Sequence, residues 1–215
     1  MNYSALIVAA GKGTRMGLGY NKMFYALKEG KTVLEQTLQL FLNDPRCKQV
    51  VIVTNRADMP RIVRQNESGK IVSVNGGDTR QDSVFNGLMA VTEDVVLIHD
   101  GARPWLPMDC VNRLLNAMEQ EDAAILAVKP KDTIKKMDGD YIAATVDREE
   151  HMLAQTPQAF KTSLILKCYN KAYDIGLNAT DDAQIAELCS NTRIRVIEGS
   201  RSEEHTSELQ SRHNL

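Results

Sequence analysis

The residues able to do chemistry fall in short runs, and the first run suits phosphate. Ala9-Ala10-Gly11-Lys12-Gly13-Thr14-Arg15-Met16 follows an apolar stretch directly. Small residues let backbone approach a ligand closely, and successive N–H groups can cradle phosphate oxygens. Arg15 offers a guanidinium that can grip two oxygens at once, and Lys22 adds a mobile point charge on the same connection. Residues 1–28 also carry Lys12 and Lys28 and no acidic side chain. The run is not a P-loop, because Gly-Lys-Ser/Thr is missing at the required spacing. Met16 stands where a dinucleotide fingerprint needs its third glycine. Taken alone, these cations could equally be solvated surface charges.

Further polar runs recur along the chain. Gly76-Gly77-Asp78-Thr79-Arg80-Gln81-Asp82-Ser83-Val84 reads either as a ligand turn or as a strand-to-helix turn with an acidic cap, and one segment can do both. His99-Asp100-Gly101-Ala102-Arg103-Pro104 places Asp100 just past an apolar run, with Arg103 three residues on. His99 ends that run and reads as structural. Lys131-Asp132-Thr133-Ile134-Lys135, Val146-Asp147-Arg148 and Gln155-Thr156-Pro157-Gln158 follow.

These runs need elements to hold them. Strands are predicted at Ser4–Val8, Val50–Thr54, Ile71–Val74, Val95–His99, Ala123–Val128 and Ile194–Ile197. Helical spacing covers Val33–Leu42, Met59–Gln65, Asp78–Val91, Met108–Met118, Leu164–Tyr173 and Asp182–Leu188. Short apolar strands alternating with helices imply an α/β fold with a mostly parallel sheet covered on both faces. Ligands bind such sheets where loops leave the carboxyl ends of strands, and the polar runs lie there. Residues 130–153 break the rhythm: they are charged, carry a turn at Asp138-Gly139, and are flanked by Thr133-Ile134 and Tyr141–Val146, which suit strands. A protruding β-arm is expected.

Bulk properties narrow the class. A chain of 215 residues can bury a substantial core, and a net charge of −2 argues against a general nucleic-acid binder. Cys47, Cys110, Cys168 and Cys189 form no C-x-x-C pair and lie at no metal-ligand spacing, so reduced, mostly buried thiols of a cytoplasmic protein are expected. No signal segment and no run of membrane-spanning length is seen.

Ala-Ala-Gly-Lys-Gly-Thr-Arg-Met followed by Lys22 resembles the signature of sugar-phosphate nucleotidyltransferases, a Rossmann-like fold. The remaining runs occur in the order seen in 2-C-methyl-D-erythritol 4-phosphate cytidylyltransferases, and the likeness spans about residues 1–199. The resemblance implies transfer of CMP from CTP to 2-C-methyl-D-erythritol 4-phosphate, with release of pyrophosphate. Arg15, Lys22 and Arg148 take catalytic roles. Ala9, Ala10, Gly11, Gly13, Gly77, Asp78 and Ser83 would hold the nucleotide. That suits a cytosine edge, which needs backbone groups and short polar side chains. Asp100, Arg103, Thr133, Arg148 and Thr156 would hold the acceptor. Mg²⁺ is the implied cofactor, bound mostly through phosphates, with Asp100 as a further ligand. The arm would cross into a second subunit to make a homodimer. Gly101 replaces the family's usual alanine.

The nucleophile is a phosphate oxygen that is already anionic near pH 7, so no general base is required. Catalysis then reduces to bringing anions together and stabilising charge at the α-phosphate. Ribitol-5-phosphate cytidylyltransferase is the nearest alternative, with the same chemistry and another acceptor. A non-catalytic nucleotide-binding regulator is the alternative of another class, and a nicotinamide dehydrogenase a third.

The last residues, Arg-Ser-Glu-Glu-His-Thr-Ser-Glu-Leu-Gln-Ser-Arg-His-Asn-Leu, lack helical or strand periodicity. They can be back-translated into the constant bases of a common short-read sequencing adapter. The expectation is a nucleotidyltransferase domain over 1–200 and adapter read-through over 201–215, in place of a native ending that holds an acceptor-binding lysine.

Overall fold

The structure, a computed structural model, describes residues 1–11, 22–27, 30–63 and 69–204. In chain order the strands are β1 (Tyr3–Val8), β2 (Cys47–Thr54), β3 (Ile71–Asn75), β4 (Val95–Asp100), β5 (Ala123–Val128), β6 (Lys135–Asp138), β7 (Tyr141–Thr145), β8 (Leu153–Lys161) and β9 (Arg195–Glu198). The helices are α1 (Val33–Asn43), α2 (Met59–Val63), α3 (Arg80–Leu88), α4 (Met108–Ala117), α5 (Thr162–Asp174) and α6 (Asp182–Cys189).

Among the described residues one sheet runs β3-β2-β1-β4-β8-β5-β9. Its strands pair in parallel except β8, which is antiparallel to both β4 and β5. Neighbouring residues of β1 serve opposite layers, which is why its sequence is continuously apolar. Ile7 packs in a core with Leu34, Leu38 and Phe41 of α1 and Val111 and Leu114 of α4. Leu6 packs in a second core with Val84 and Leu88 of α3, Ile165 and Tyr169 of α5 and Ile185 of α6. Burying each such side chain contributes about 1.5–3 kcal/mol. All four cysteines are buried, and none is in a disulfide.

The largest departure from the sequence reading is β8, for which no strand was expected. Gln155, Thr156 and Gln158 make its sequence polar, and Pro157 puts a proline within a central strand. A proline cannot donate to a ladder, and it is tolerated where pairing is already broken. Pairing of β5 with β8 shifts register between Ile125 and Ala127, opposite this part of β8.

Other boundaries moved for local reasons. The helix expected from Asp78 begins at Arg80, because Thr79 caps it through Asp82 N while the Asp82 carboxylate accepts from Thr79 N. Asp78 is thereby left in the turn. The described part of the helix expected at Met59–Gln65 is Met59–Val63. Thr133 and Ile134 form the base of the arm, where Ile134 O accepts from Val146 N, and the paired strand itself starts at Lys135. The arm is a two-stranded sheet of its own, exposed along both strands.

Gly199 N donates to Ala127 O, and the Gln155 side chain pairs with the Ser200 backbone in both directions. Residues Arg201–Glu204 form one 3-10 turn, with Arg201 donating to Lys129 O.

Candidate active site

β1 is the strand at which the sheet changes direction. It pairs with β2 on one side and β4 on the other, and Val8 lies opposite Asp100. Parallel sheets leave a crevice at this point, beyond the carboxyl ends of the strands. The chain leaves both strands in step: Gly101 N donates to Val8 O at 3.0 Å, and Ala9 N to Val53 O at 2.8 Å.

The Gly76-Gly77 turn closes one wall. Gly76 N donates to Thr54 O at 2.8 Å, which ties the turn to the end of β2. A Cβ on Gly76 would lie 2.5 Å from Ala10 Cβ and 3.0 Å from Ser83 Oγ, so only glycine fits there. Gly77 N donates to the buried Ser83 Oγ at 3.1 Å. Gly77 cannot carry a Cβ either, since it would meet Asp82 Cβ at 2.3 Å. The strand end Ala9-Ala10 and the Gly76-Gly77 turn are thus in contact, and Asp78 and Gly11 stand exposed beside them.

The opposite wall is built on Asp100. Its backbone N–H donates to Thr156 Oγ1 at 3.2 Å, and Thr156 Oγ1 lies 3.0 Å from His99 Nδ1. His99 Nε2 lies 3.0 Å from Arg103 O. That carbonyl can only accept, so Nε2 carries the proton; Thr156 then donates to Nδ1. Burial favours this neutral ring and lowers the His99 pKa to about 4. The sequence reading of His99 as structural agrees with this: it holds Thr156 and the Arg103 backbone in place.

The Asp100 carboxylate stands between two guanidinium groups. Arg103 Nε donates to Oδ2 at 3.3 Å, and Arg80 Nη2 lies 3.6 Å from Oδ1. Arg80 also makes a double hydrogen bond with the wholly buried Asp182, at 3.1 and 2.8 Å. Tyr169 O–H donates to the same carboxylate at 2.5 Å. Although burial opposes its charge, the carboxylates of Asp182 and Asp100 raise the Arg80 pKa, and Tyr169 is pushed up mainly by burial.

The sequence profile of the 2-C-methyl-D-erythritol 4-phosphate cytidylyltransferases (IspD) matches residues 3–205. The chain belongs to this family. A cytidylyltransferase of that name from Geobacillus kaustophilus is 43% identical over 204 residues, which cover 93% of this chain and 89% of the relative. One from Halalkalibacterium halodurans is 41% identical over 207 residues, covering 93% and 89%. Among solved structures, the chain is similar to 4-diphosphocytidyl-2C-methyl-D-erythritol synthase from Anaerococcus prevotii, with TM-score 0.85, 32% identity and coverage of 100% and 96%. It is also similar to the cytidylyltransferase from Thermus thermophilus, with TM-score 0.81, 30% identity and full coverage of both chains.

Of the residues the family resemblance singled out, the fold brings Ala9, Ala10, Gly77, Ser83, Asp100, Arg103 and Thr156 to one end of the sheet. Gly13 and Arg15 lie outside the described residues. Lys22 opens a 3-10 turn, Lys22–Phe24, whose next residue, Met23, is buried under the end of β4. A Cβ on Gly101 would lie 3.1 Å from Met23 Sδ, so the Lys22 backbone is anchored beside the Asp100 segment. Thr133 and Arg148 are exposed on the arm, where Arg148 donates to Lys131 O at 3.0 Å and faces Glu149 at 3.7 Å.

Arg80 and Asp182 escaped the sequence reading as site residues. An arginine at the first position of a helix is poorly placed in the helix dipole, and that conflict was the available signal. Gln81 and Gln158 were missed for a different reason, because each acts on backbone far away in sequence. Gln81 bonds Leu177 O and Ala179 N, and Gln158 bonds Ala183 N and the Asp181 carboxylate.

Proposed function

We propose that this chain transfers CMP from CTP to 2-C-methyl-D-erythritol 4-phosphate, releasing pyrophosphate, a step in making isoprenoid precursors. The observation that carries this is that the Gly76-Gly77 turn, packed on Ala10, and the Asp100–Arg103–Thr156 cluster meet at the carboxyl ends of the central strands, in a chain of this family. The glycine wall suits a flat base read by backbone groups and by Ser83, with Ala9, Ala10 and Gly11 beneath. The Asp100 wall suits a hydroxylated phosphate.

In the reaction, a phosphate oxygen of the acceptor forms a bond to the α-phosphorus of CTP. The bond from that phosphorus to the bridging oxygen breaks, and its electrons leave with pyrophosphate. Arg15 and Lys22 stabilise the charge that builds on the α- and β-phosphates. Arg103, Thr156 and, from the arm, Thr133 and Arg148 hold the acceptor.

Mg²⁺ fits the donor set. This ion is ordinarily held by one or two carboxylates together with substrate phosphates, and Asp100 is a carboxylate at the crevice. Bound there, Mg²⁺ would neutralise triphosphate charge.

The arm belongs to the proposal as a dimer contact. Met137, Tyr141 and Ile142 are exposed on it at 54, 81 and 63%, an apolar surface of the kind that marks an interaction site. Among the described residues no helix is long and apolar enough to cross a membrane. The four buried thiols, none in a disulfide, support a cytoplasmic enzyme. We further propose that residues 201–215 are adapter-derived, which resequencing the locus tests. Recovering the same ending from an independent clone would refute it.

The decisive assay uses the protein encoded by the resequenced locus, with CTP, Mg²⁺ and either 2-C-methyl-D-erythritol 4-phosphate or ribitol 5-phosphate. Pyrophosphate release that depends on the first acceptor is expected. Release with ribitol 5-phosphate alone would move the chain to the alternative acceptor, and CTP binding without turnover would favour a regulator.

A further inference from the structure

We infer that Arg80 is a positioning residue for the acceptor side of the site, acting through Asp100. The inference rests on the role proposed above for Asp100.

Arg80 stands at the first position of α3, directly after the turn proposed to read the base. A cation there opposes the helix dipole, so local propensity does not explain it. Its guanidinium instead reaches across to α6, where both oxygens of the buried Asp182 accept from it, and the Tyr169 hydroxyl completes that carboxylate's bonding. A buried ion pair of this kind is weak evidence for stability, since apolar residues of similar volume often serve the fold as well. What an apolar pair cannot supply is a fixed positive charge at the rim.

That charge has a target. Arg80 keeps about a third of its side chain exposed and directs Nη2 toward Asp100 Oδ1 at 3.6 Å. Arg103 holds the other oxygen, Oδ2, at 3.3 Å. Two guanidinium groups on separate oxygens define the plane of a carboxylate far better than one. Arg103 comes from the same loop as Asp100, three residues on, whereas Arg80 is held from α6 by Asp182. Arg80 is therefore the fixed reference. It ties the base-side turn, the end of β4 and the start of α6 together, so one side chain bridges the nucleotide wall and the acceptor wall.

Double-substitution kinetics on the locus-encoded protein tests this. Arg80→Lys keeps a charge on Asp182, but a single ammonium cannot bond both of its oxygens and also face Asp100. It is expected to raise the acceptor KM about tenfold with the CTP KM within about twofold. Asp100→Asn is expected to raise the acceptor KM more. Adding Arg80→Lys to Asp100→Asn should change it by less than about twofold, because the route through Asp100 is already cut. Multiplying effects, or a larger loss on CTP than on the acceptor, would overturn the inference. If Asp100→Asn leaves the acceptor KM unchanged, the acceptor-side reading of Asp100 fails instead, and the inference with it. Should Arg80→Lys fail to fold, Arg80→Met with Asp182→Leu and Tyr169→Phe refills the buried site without charge and enters the same cycle. A folded triple variant with unchanged acceptor KM would equally overturn it.

Discussion

The Thr156 hydroxyl lies 3.0 Å from His99 Nδ1 and 3.2 Å from the Asp100 amide nitrogen, so one side chain of β8 fixes two consecutive residues of β4. β8 is the antiparallel strand inserted beside β4, and this contact explains what the insertion does at the site. It brings a hydroxyl to the end of a strand whose own loop could not supply one. Thr156→Val removes the hydroxyl at nearly constant shape and leaves a buried ring nitrogen unpaired. Stability should fall by about 1–3 kcal/mol, read from urea denaturation. The acceptor KM should rise with it.

His99 makes folding stability depend on pH in a defined window. Its folded pKa is depressed to about 4 by burial, against 6.5 in the unfolded chain. Between these values the unfolded state binds a proton that the folded state does not, so stability rises with pH. The contribution is complete above 6.5 and is lost as pH falls toward 4, amounting to about 3 kcal/mol. Denaturation at pH 7 and pH 4.5 should show this loss in the unsubstituted chain. His99→Gln, which cannot titrate, should show a flatter profile.

Gly76 separates binding from folding. An alanine there puts its Cβ 2.5 Å from Ala10 Cβ, and relief requires the β1 loop and the base-side turn to part. Gly76→Ala should cost about 1–3 kcal/mol of stability. It should also weaken CTP binding at least about tenfold by calorimetry, since the displaced groups line the proposed base wall. Unchanged CTP affinity would remove this turn from the nucleotide site.

The proposed dimer makes a prediction about mixtures. If Arg148 serves the neighbouring subunit, Lys22→Ala and Arg148→Ala homodimers should each be nearly inactive. Mixing them, with subunit exchange, should restore roughly a quarter of full activity, because half the dimers are mixed and each has one complete site. No recovery after demonstrated exchange would place Arg148 and Lys22 in the same subunit's site, or remove Arg148 from catalysis.

The strands β1, β2, β4 and β5 were legible because they are buried along nearly their whole length. Ala123–Val128 coincides with β5, and Val50–Thr54 lies within β2. β8 was not legible, because its polar side chains are satisfied by partners distant in sequence. Gln158 bonds the start of α6, and Gln155 bonds Ser200. The site divides the same way. Glycines and the Asp100 loop announce themselves by local spacing, whereas Arg80 and Asp182 meet across 102 positions and leave only a misplaced charge as a sign.

Lys22→Ala in the locus-encoded protein tests most directly whether cations after the first strand drive nucleotidyl transfer. With CTP, Mg²⁺ and 2-C-methyl-D-erythritol 4-phosphate saturating, pyrophosphate release should fall about 10²–10³-fold while the melting temperature holds. Turnover within a fewfold of the unsubstituted enzyme would contradict it.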